Sequence, residues 1–238
     1  MSLWMSLWCH FEFIYKNLFK YYKHIVACVP NMCYNKGTKT TKEGVFMNYE
    51  DKIIEYMNNN EGYITNKITK ELGVPTIYLT RMVNDKIIVR VSRGIYALPN
   101  VFEDELFINY LRYSKIVYSG NTALVLNRMS NKSLKEIEAN VPSNYNTHRI
   151  NCIKVKRVND EYYNTGKTFL KTEFGNYVPT YDKERVLCDI FKYESLDNEE
   201  LNYAVNAAKE IGINYEKLYE YSITLDVYEK IRYLLEIR

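Results

Sequence analysis

Apolar residues recur at regular intervals from about residue 48 of this chain onward. Between residues 49 and 59 they follow helical spacing, and the polar run NNNEG at 58–62 then ends the helix. Thr65 is a suitable N-cap for a second helix, and Gly73 is suited to follow its last turn. An apolar residue recurs at every fourth position along this second helix, at Ile64, Ile68 and Leu72. The pattern predicts two short helices joined by a polar turn.

A third helix and a hairpin are predicted directly afterwards. Pro75 suits a first helical turn, and Leu79, Met82 and Val83 share one apolar face. The β-branched segment 87–91 and the segment 95–98, separated by a turn at Arg93-Gly94, predict a hairpin. The second and third helices are joined by a tight turn, and the hairpin follows them. This order predicts a winged helix-turn-helix domain over residues 47–99.

Positive charge is unevenly distributed along the sequence. The formal net charge is +3, and residues 1–46 hold six lysines against two glutamates. Basic residues of the third helix and the hairpin outweigh Asp85 locally, so these elements are predicted to contact DNA phosphates while outer helix residues reach base edges. The predicted DNA-binding residues are Thr76, Ile77, Tyr78, Thr80, Arg81, Lys86, Arg90 and Arg93.

Residues 1–46 differ in composition from the rest of the chain. They contain both tryptophans and three of the five cysteines, and charged residues interrupt every apolar run well before the ~20 residues that span a bilayer. The segment KEGVF before Met47 fits purine-rich codons of a ribosome-binding site. We therefore expect a true start at Met47 and a disordered or non-native 1–46. The alternative is a genuine N-terminal extension, for which a membrane-surface amphipathic helix is conceivable.

The part of the sequence from 100 to 238 predicts a mixed domain. Helices are predicted at 102–113, 121–129, 182–193, 198–211 and 224–237, and strands at 116–118, 136–141, 151–158 and 168–174. The predicted fold class is α+β, a winged helix-turn-helix domain followed by an α+β domain whose C-terminal portion is helical.

Three segments resemble the AbiEi-type antitoxins. The stretch 62–98 has the Gly-hydrophobic-Thr start, the Leu-Gly turn and the Arg-Gly-hydrophobic-Tyr wing common in that family. The segment YSGNTAL at 118–124 is similar to its Ser-His-x-Thr-Ala-Leu, and VPTYDKERVLCD at 178–189 is similar to its Tyr-Asp-x-Glu-Arg-x-x-x-Asp. Gly120 departs from the family, which has histidine there, so no role of that imidazole is carried over to this chain.

The resemblance implies a transcriptional repressor of its own operon that counters a nucleotidyltransferase-like toxin without requiring a stable complex with it. The implied partners are double-stranded operator DNA and that toxin, with no membrane and no cofactor, in the cytoplasm. The antitoxin-motif residues it implies are Ser119, Thr122, Tyr181, Asp182, Glu184, Arg185 and Asp189.

Candidate chemistry elsewhere in the sequence is weak. The run Gly166-Lys167-Thr168 lacks the first glycine of a phosphate-binding loop, because Glu161 occupies that position. The carboxylates of the 182–189 segment favour a helix cap and ion pairs over a metal site. His148 is expected at the surface and Cys188 in the core, and the odd cysteine count without a CxxC pair favours reduced thiols. Neither catalytic nor metal-binding residues are predicted. An enzyme acting on nucleic acid or nucleotides, and a winged-helix adaptor that binds protein, remain the alternatives.

Overall fold

Residues 48–236 are described by the structure, a computed structural model. The predictions about residues 1–46 and a start at Met47 lie outside these residues. The described part is a mixture of helices and two β-sheets, which confirms the α+β class at that level. None of its helices is long and apolar enough to cross a membrane.

The first region, residues 48–99, contains three helices and three strands. In chain order they are α1 (Tyr49–Asn59), β1 (Tyr63–Thr65), α2 (Asn66–Glu71), α3 (Ile77–Asn84), β2 (Val89–Ser92) and β3 (Ile95–Ala97). The strands form an antiparallel sheet in the order β1-β3-β2. This arrangement fits the predicted winged helix-turn-helix, and we call residues 48–99 the winged-helix region.

Local sequence explains these elements, with one correction. Thr65 caps α2 as predicted, because its Oγ1 accepts a hydrogen bond from the Ile68 backbone N–H at 3.3 Å. Ile64, however, lies in strand β1 rather than on the apolar face of α2, and Thr69 takes the fully buried helical position. The spacing of four residues could not show whether Ile64 lies in a strand or in the helix, because β1 ends at the residue directly before α2 begins.

A compact apolar core holds the winged-helix region together. Leu79 and Met82 of α3 are fully buried against α1 and Ile88, as the sequence predicts. The buried members of this cluster are Ile53, Met57, Ile64, Val74, Leu79, Met82, Ile88 and Tyr96. Burial of one helix face leaves the opposite face of α3 free to point outward.

The second region, residues 100–236, is built on a five-stranded mixed sheet. Its elements are α4 (Glu105–Arg112), β4 (Val117–Tyr118), α5 (Gly120–Leu126), β5 (Glu138–Pro142), β6 (Lys154–Val158), α6 (Asp160–Asn164), β7 (Lys167–Lys171), β8 (Tyr177–Tyr181), α7 (Lys183–Tyr193), α8 (Asn198–Ile211), α9 (Tyr215–Thr224) and α10 (Tyr228–Glu236). The strand order is β6-β5-β4-β8-β7, with parallel pairs β5·β6 and β4·β8. Helices α7–α10 pack in one core cluster with the buried residues of α5.

The helix predicted over 224–237 is present as α10, but it begins later, at Tyr228, because Asp226 adopts a left-handed backbone with φ +52° just before it. Helix α9, which ends at Thr224, was not predicted as an element. Strand β8 and helix α6 were not predicted as elements, although β8 lies between β4 and β7 in the sheet.

The two regions share apolar and polar contacts. Tyr63 of β1 lies in the same core cluster as Phe107 of α4, with ring centroids 5.2 Å apart. The Tyr63 hydroxyl donates to the Phe102 carbonyl at 2.8 Å and accepts from the Asp104 N–H at 3.2 Å. The buried Asp104 carboxylate accepts hydrogen bonds from Thr172, Asn176 and the Phe107 N–H. We call this set of contacts the Asp104 junction.

Candidate nucleic-acid interface and antitoxin-motif residues

The outward face of α3 carries the residues predicted to reach DNA. Ile77, Thr80 and Arg81 are exposed, whereas Thr76 and Tyr78 are half-buried at the edges of the face. Positions three and four residues apart lie on one side of a helix, so Ile77 is aligned with Thr80 and Arg81. The buried Leu79 and Met82 on the other side fix the orientation of this face.

Tyr78 supports Arg81 at this face. The Tyr78 ring packs edge-on against Tyr49 of α1 with centroids 4.9 Å apart, and the Arg81 guanidinium lies 5.2 Å from the centroid of the Tyr78 ring. A guanidinium over an aromatic ring is attracted by the ring electrons, which limits its rotamers. Arg81 is therefore held close to α3 before any ligand binds.

The hairpin β2–β3 presents two further predicted residues. Arg90 and Arg93 are exposed, as is Lys86 before the hairpin. Gly94 has φ +75°, and a Cβ there would lie 3.0 Å from the side-chain Nδ2 of Asn66, so the turn favours glycine. The Asn66 N–H donates to the Gly94 carbonyl at 3.0 Å, which fixes the turn beside the start of α2.

Helix α2 adds basic residues that the sequence reasoning missed. Lys67 and Lys70 are exposed, and the Lys67–Glu71 ion pair at 3.9 Å is too exposed to neutralise Lys67 strongly. The signal was available, since in a helix-turn-helix the first helix crosses the DNA backbone. The acidic residues Glu50, Asp51 and Glu55 lie instead on α1.

Arg185, a residue of the predicted antitoxin motif, is the centre of a buried network. It is 1% exposed. Its Nη1 donates to the Tyr162 and Thr165 carbonyls at 2.7 and 2.8 Å, and its Nε donates to Asp189 at 3.1 Å. Its guanidinium also lies 4.4 Å from the centroid of the Tyr181 ring. Arg185 thus connects α7 to α6 and to the residue that follows α6.

Most of the other motif residues also have structural contacts. Asp182 caps α7 by accepting from the Arg185 N–H at 3.1 Å, and it faces Lys217 at 3.5 Å. The buried Glu184 accepts from the Asn214 N–H at 2.8 Å and pairs with Lys183 at 3.3 Å. These contacts agree with the predicted cap and ion pairs, and they keep the carboxylates apart.

Thr122 and Tyr181 are fully buried between the sheet and its helices. Thr122 Oγ1 accepts from the Glu138 N–H at 2.9 Å, and the Tyr181 hydroxyl donates to the Tyr163 carbonyl at 3.3 Å. Burial raises the pKa of the Tyr181 hydroxyl to about 12, so this group stays protonated at neutral pH.

Ser119 and Asp189 are brought together at a cavity of about 310 Å³ between α5, the β5–β6 pair and α7. Ser119 donates to Asn140 at 3.1 Å, and the wall also includes Lys154 and Lys156. Burial raises the pKa of the Asp189 carboxyl, and the Arg185 charge opposes this shift. Ser119 and Asp189 are therefore the two motif residues that line the cavity.

Gly120 stands where the resembling family has histidine, and Glu138 takes up the space beside it. A Cβ at Gly120 would lie 2.0 Å from Glu138 Oε2, and the backbone φ is +53°. That oxygen accepts from the Asn121 N–H at 2.8 Å, while Oε1 pairs with Lys154 at 2.9 Å. Glu138 and Lys154 therefore fill this site with a different polar pair.

The described residues contain no group of three or more potential metal ligands. Asp182, Glu184 and Asp189 each have a separate partner, so the metal-centred pocket that would favour an enzyme is not formed by them. Cys188 is buried, which raises its pKa to about 12 and keeps it protonated, whereas His148 is exposed, as predicted.

A family model described as "Transcriptional regulator, AbiEi antitoxin" matches residues 60–99. This match supports the AbiEi resemblance predicted from the sequence and covers β1, both helix-turn-helix helices and the hairpin. It indicates the class of transcriptional regulators and antitoxins.

No curated protein matches the chain. Among solved structures, the RV2827C protein from Mycobacterium tuberculosis is similar, with 12% sequence identity and a TM-score of 0.49. The similarity covers 79% of this chain and 76% of that one.

Proposed function

We propose that this chain is a DNA-binding autorepressor and the antitoxin of a type IV toxin–antitoxin pair. One observation carries the DNA-binding half: α3 presents Ile77, Thr80 and Arg81 outward beside a hairpin that exposes Arg90 and Arg93. The residues matched by the regulator family are those that build this surface. The protein acts by binding rather than by catalysis, in the cytoplasm where its operator lies.

The proposed binding mode places α3 in the major groove of the operator. Arg81, supported by Tyr78, and Thr80 reach base edges, while Lys86, Arg90 and Arg93 contact phosphates. Lys67 and Lys70 of α2 add phosphate contacts where that helix crosses the backbone. Binding of this kind weakens steeply as salt rises, because each neutralised phosphate releases counterions.

Fluorescence anisotropy with duplex DNA from upstream of the gene tests the repressor half. We expect Arg81→Ala to weaken binding about tenfold and to relax sequence preference, because it removes a base contact. Arg93→Ala should weaken binding to all duplexes alike and reduce the slope of log K against log salt by about 1.

Lys209→Ala is the matched control, since it removes an exposed positive charge from α8, outside the proposed DNA surface. It should leave both affinity and salt slope unchanged. Wild type that binds the upstream duplex no better than a scrambled one would refute the repressor proposal and favour the protein-binding adaptor.

The antitoxin half is tested by co-expression with a nucleotidyltransferase-like protein encoded beside the gene. We expect growth to be restored without a complex that survives co-purification. Arg81→Ala should retain this rescue when both genes are placed under foreign promoters, because the proposed neutralising residues lie in the second region. Absence of rescue by the wild-type chain would refute the antitoxin role and leave the DNA-binding role to be judged on its own assay.

A further inference from the structure

Ile77 is an exposed apolar residue on a helix face that is otherwise polar. It is the first residue of α3, and 52% of its surface is exposed. The buried side of the helix is supplied by Leu79 and Met82, so Ile77 does not contribute to the core of the winged-helix region. Exposure of a large apolar side chain to water is unfavourable, and a binding partner that covers it would remove this cost.

The partner surface offered to this helix by DNA has one apolar feature. In the major groove, the 5-methyl group of thymine is the only apolar group on any base edge, and aliphatic side chains contact it. Residues in the first turn of a recognition helix are those that reach the base edges. The β-branched Ile77 is also stiff at χ1, so little rotamer freedom is lost when it makes such a contact.

We propose that Ile77 reads a thymine methyl group, so that the operator carries thymine at the base pair facing the first turn of α3. The inference deepens the proposed function and rests on it. Arg81, four residues on, lies on the same face and supplies the polar contact to a neighbouring base pair. Ile77 is thus a specificity-determining residue that acts through methyl contact rather than hydrogen bonding.

Two other exposed aliphatic residues of the winged-helix region provide the contrast. Ile87 is 40% and Val89 41% exposed, and both lie beyond the end of α3, outside the face that Ile77 shares with Thr80 and Arg81. If Ile77 belonged to a protein-binding patch, replacing it would alter DNA binding no more than replacing Ile87.

The experiment selects the preferred duplex from a random-sequence library with the full chain, then replaces each thymine by deoxyuridine in turn. This exchange removes the methyl group and leaves base pairing intact. We expect one or two replacements to weaken wild-type binding about fourfold, which corresponds to the burial of one methyl group. Ile77→Ala should bind the thymine and deoxyuridine duplexes equally well, whereas Ile87→Ala should discriminate like wild type.

The possible results distinguish the role of Ile77 from operator binding itself. Enrichment of a sequence whose binding is indifferent to every thymine methyl overturns the inference and leaves operator binding intact. The inference also fails if Ile77→Ala remains as sensitive to the exchange as wild type. Failure to enrich any sequence would refute operator binding itself, and the role of Ile77 with it.

Discussion

Replacing Arg185 by methionine should destabilise the protein strongly, because it breaks a buried ionic network rather than a surface pair. The substitution removes three hydrogen bonds of 2.7–3.1 Å and leaves the Asp189 carboxylate without its cation. Hydrogen bonds from charged groups contribute at least about 1.5 kcal/mol each, and removing one partner of a buried pair costs about 3–5 kcal/mol. The two routes agree on a loss of at least about 4 kcal/mol.

Urea and thermal unfolding of the full chain, followed by circular dichroism, measure this loss. For a chain of this length, about 4 kcal/mol lowers Tm by about 8–16 °C. Arg232→Met is the control. Like Arg185, Arg232 forms ion pairs, in its case with Glu229 and Glu236, but its side chain is 55% exposed. Exposed pairs contribute less than about 1 kcal/mol.

The double variant Arg185→Met, Asp189→Leu separates the two parts of the effect. It removes the unpaired carboxylate as well, so it should be more stable than Arg185→Met alone. The reasoning is refuted if Arg185→Met costs no more than Arg232→Met, or if the second substitution restores no stability.

Three further predictions concern other buried groups. Asp189→Asn should gain stability relative to wild type as pH rises above about 4, the ordinary pKa of aspartate in the unfolded chain. The raised pKa of Asp189 means that its contribution is present at low pH and lost as the carboxyl ionises; urea unfolding at several pH values measures the difference. Gly120→Ala should cost about 2–3 kcal/mol, from its positive φ and from displacement of Glu138 off the Asn121 N–H. Asp104→Ala should cost about 2–4 kcal/mol, because it removes the cap of α4 and the bonds of the Asp104 junction.

Each of these has its own control. A pH-independent difference between wild type and Asp189→Asn would contradict the assigned direction of the pKa shift. Gly73→Ala has a similar φ of +70° but no neighbour within 4 Å, so an equal cost at Gly73 and Gly120 would exclude a contribution from Glu138. Asn214→Ala removes an ordinary N-cap at α9 and should cost about 1 kcal/mol; an equal loss for Asp104→Ala would show that the junction adds nothing.

Elements with strong local signals were predictable from the sequence. Helix α8 was predicted with its observed bounds, since Asp197 and Glu200 form a capping box before a regular apolar repeat. Strand β8 was missed because Pro179 interrupts its pattern, and proline is rare inside sheets. Its place between β4 and β7 depends on pairing across the sheet, which no local pattern encodes.

In the candidate site, too, local patterns in the sequence were predictive, whereas contacts between residues distant in the sequence were not. The face of α3 followed from helical periodicity, which places Thr80 and Arg81 opposite Leu79 and Met82. The different surroundings of Arg185 and Asp189 could not be inferred, because two of the three acceptors for Arg185, the carbonyls of Tyr162 and Thr165, come from about 20 positions earlier. A motif read along the chain does not distinguish residues that support a site from those that line it.

The Asp104 junction has a mechanical consequence for the proposed mode of DNA binding. Tyr63 belongs to a strand paired with β3 and also to the core that contains Phe107, so the winged-helix region and the second region share buried contacts. In the proposed binding mode, these contacts couple the orientation of α3 in the groove to that of the second region. In a symmetric pair of such chains, the distance between the two α3 helices is set by the shape of the bodies, and half-sites must match it at intervals of about 34 Å. The spacing of operator half-sites would therefore report the distance between the two α3 helices.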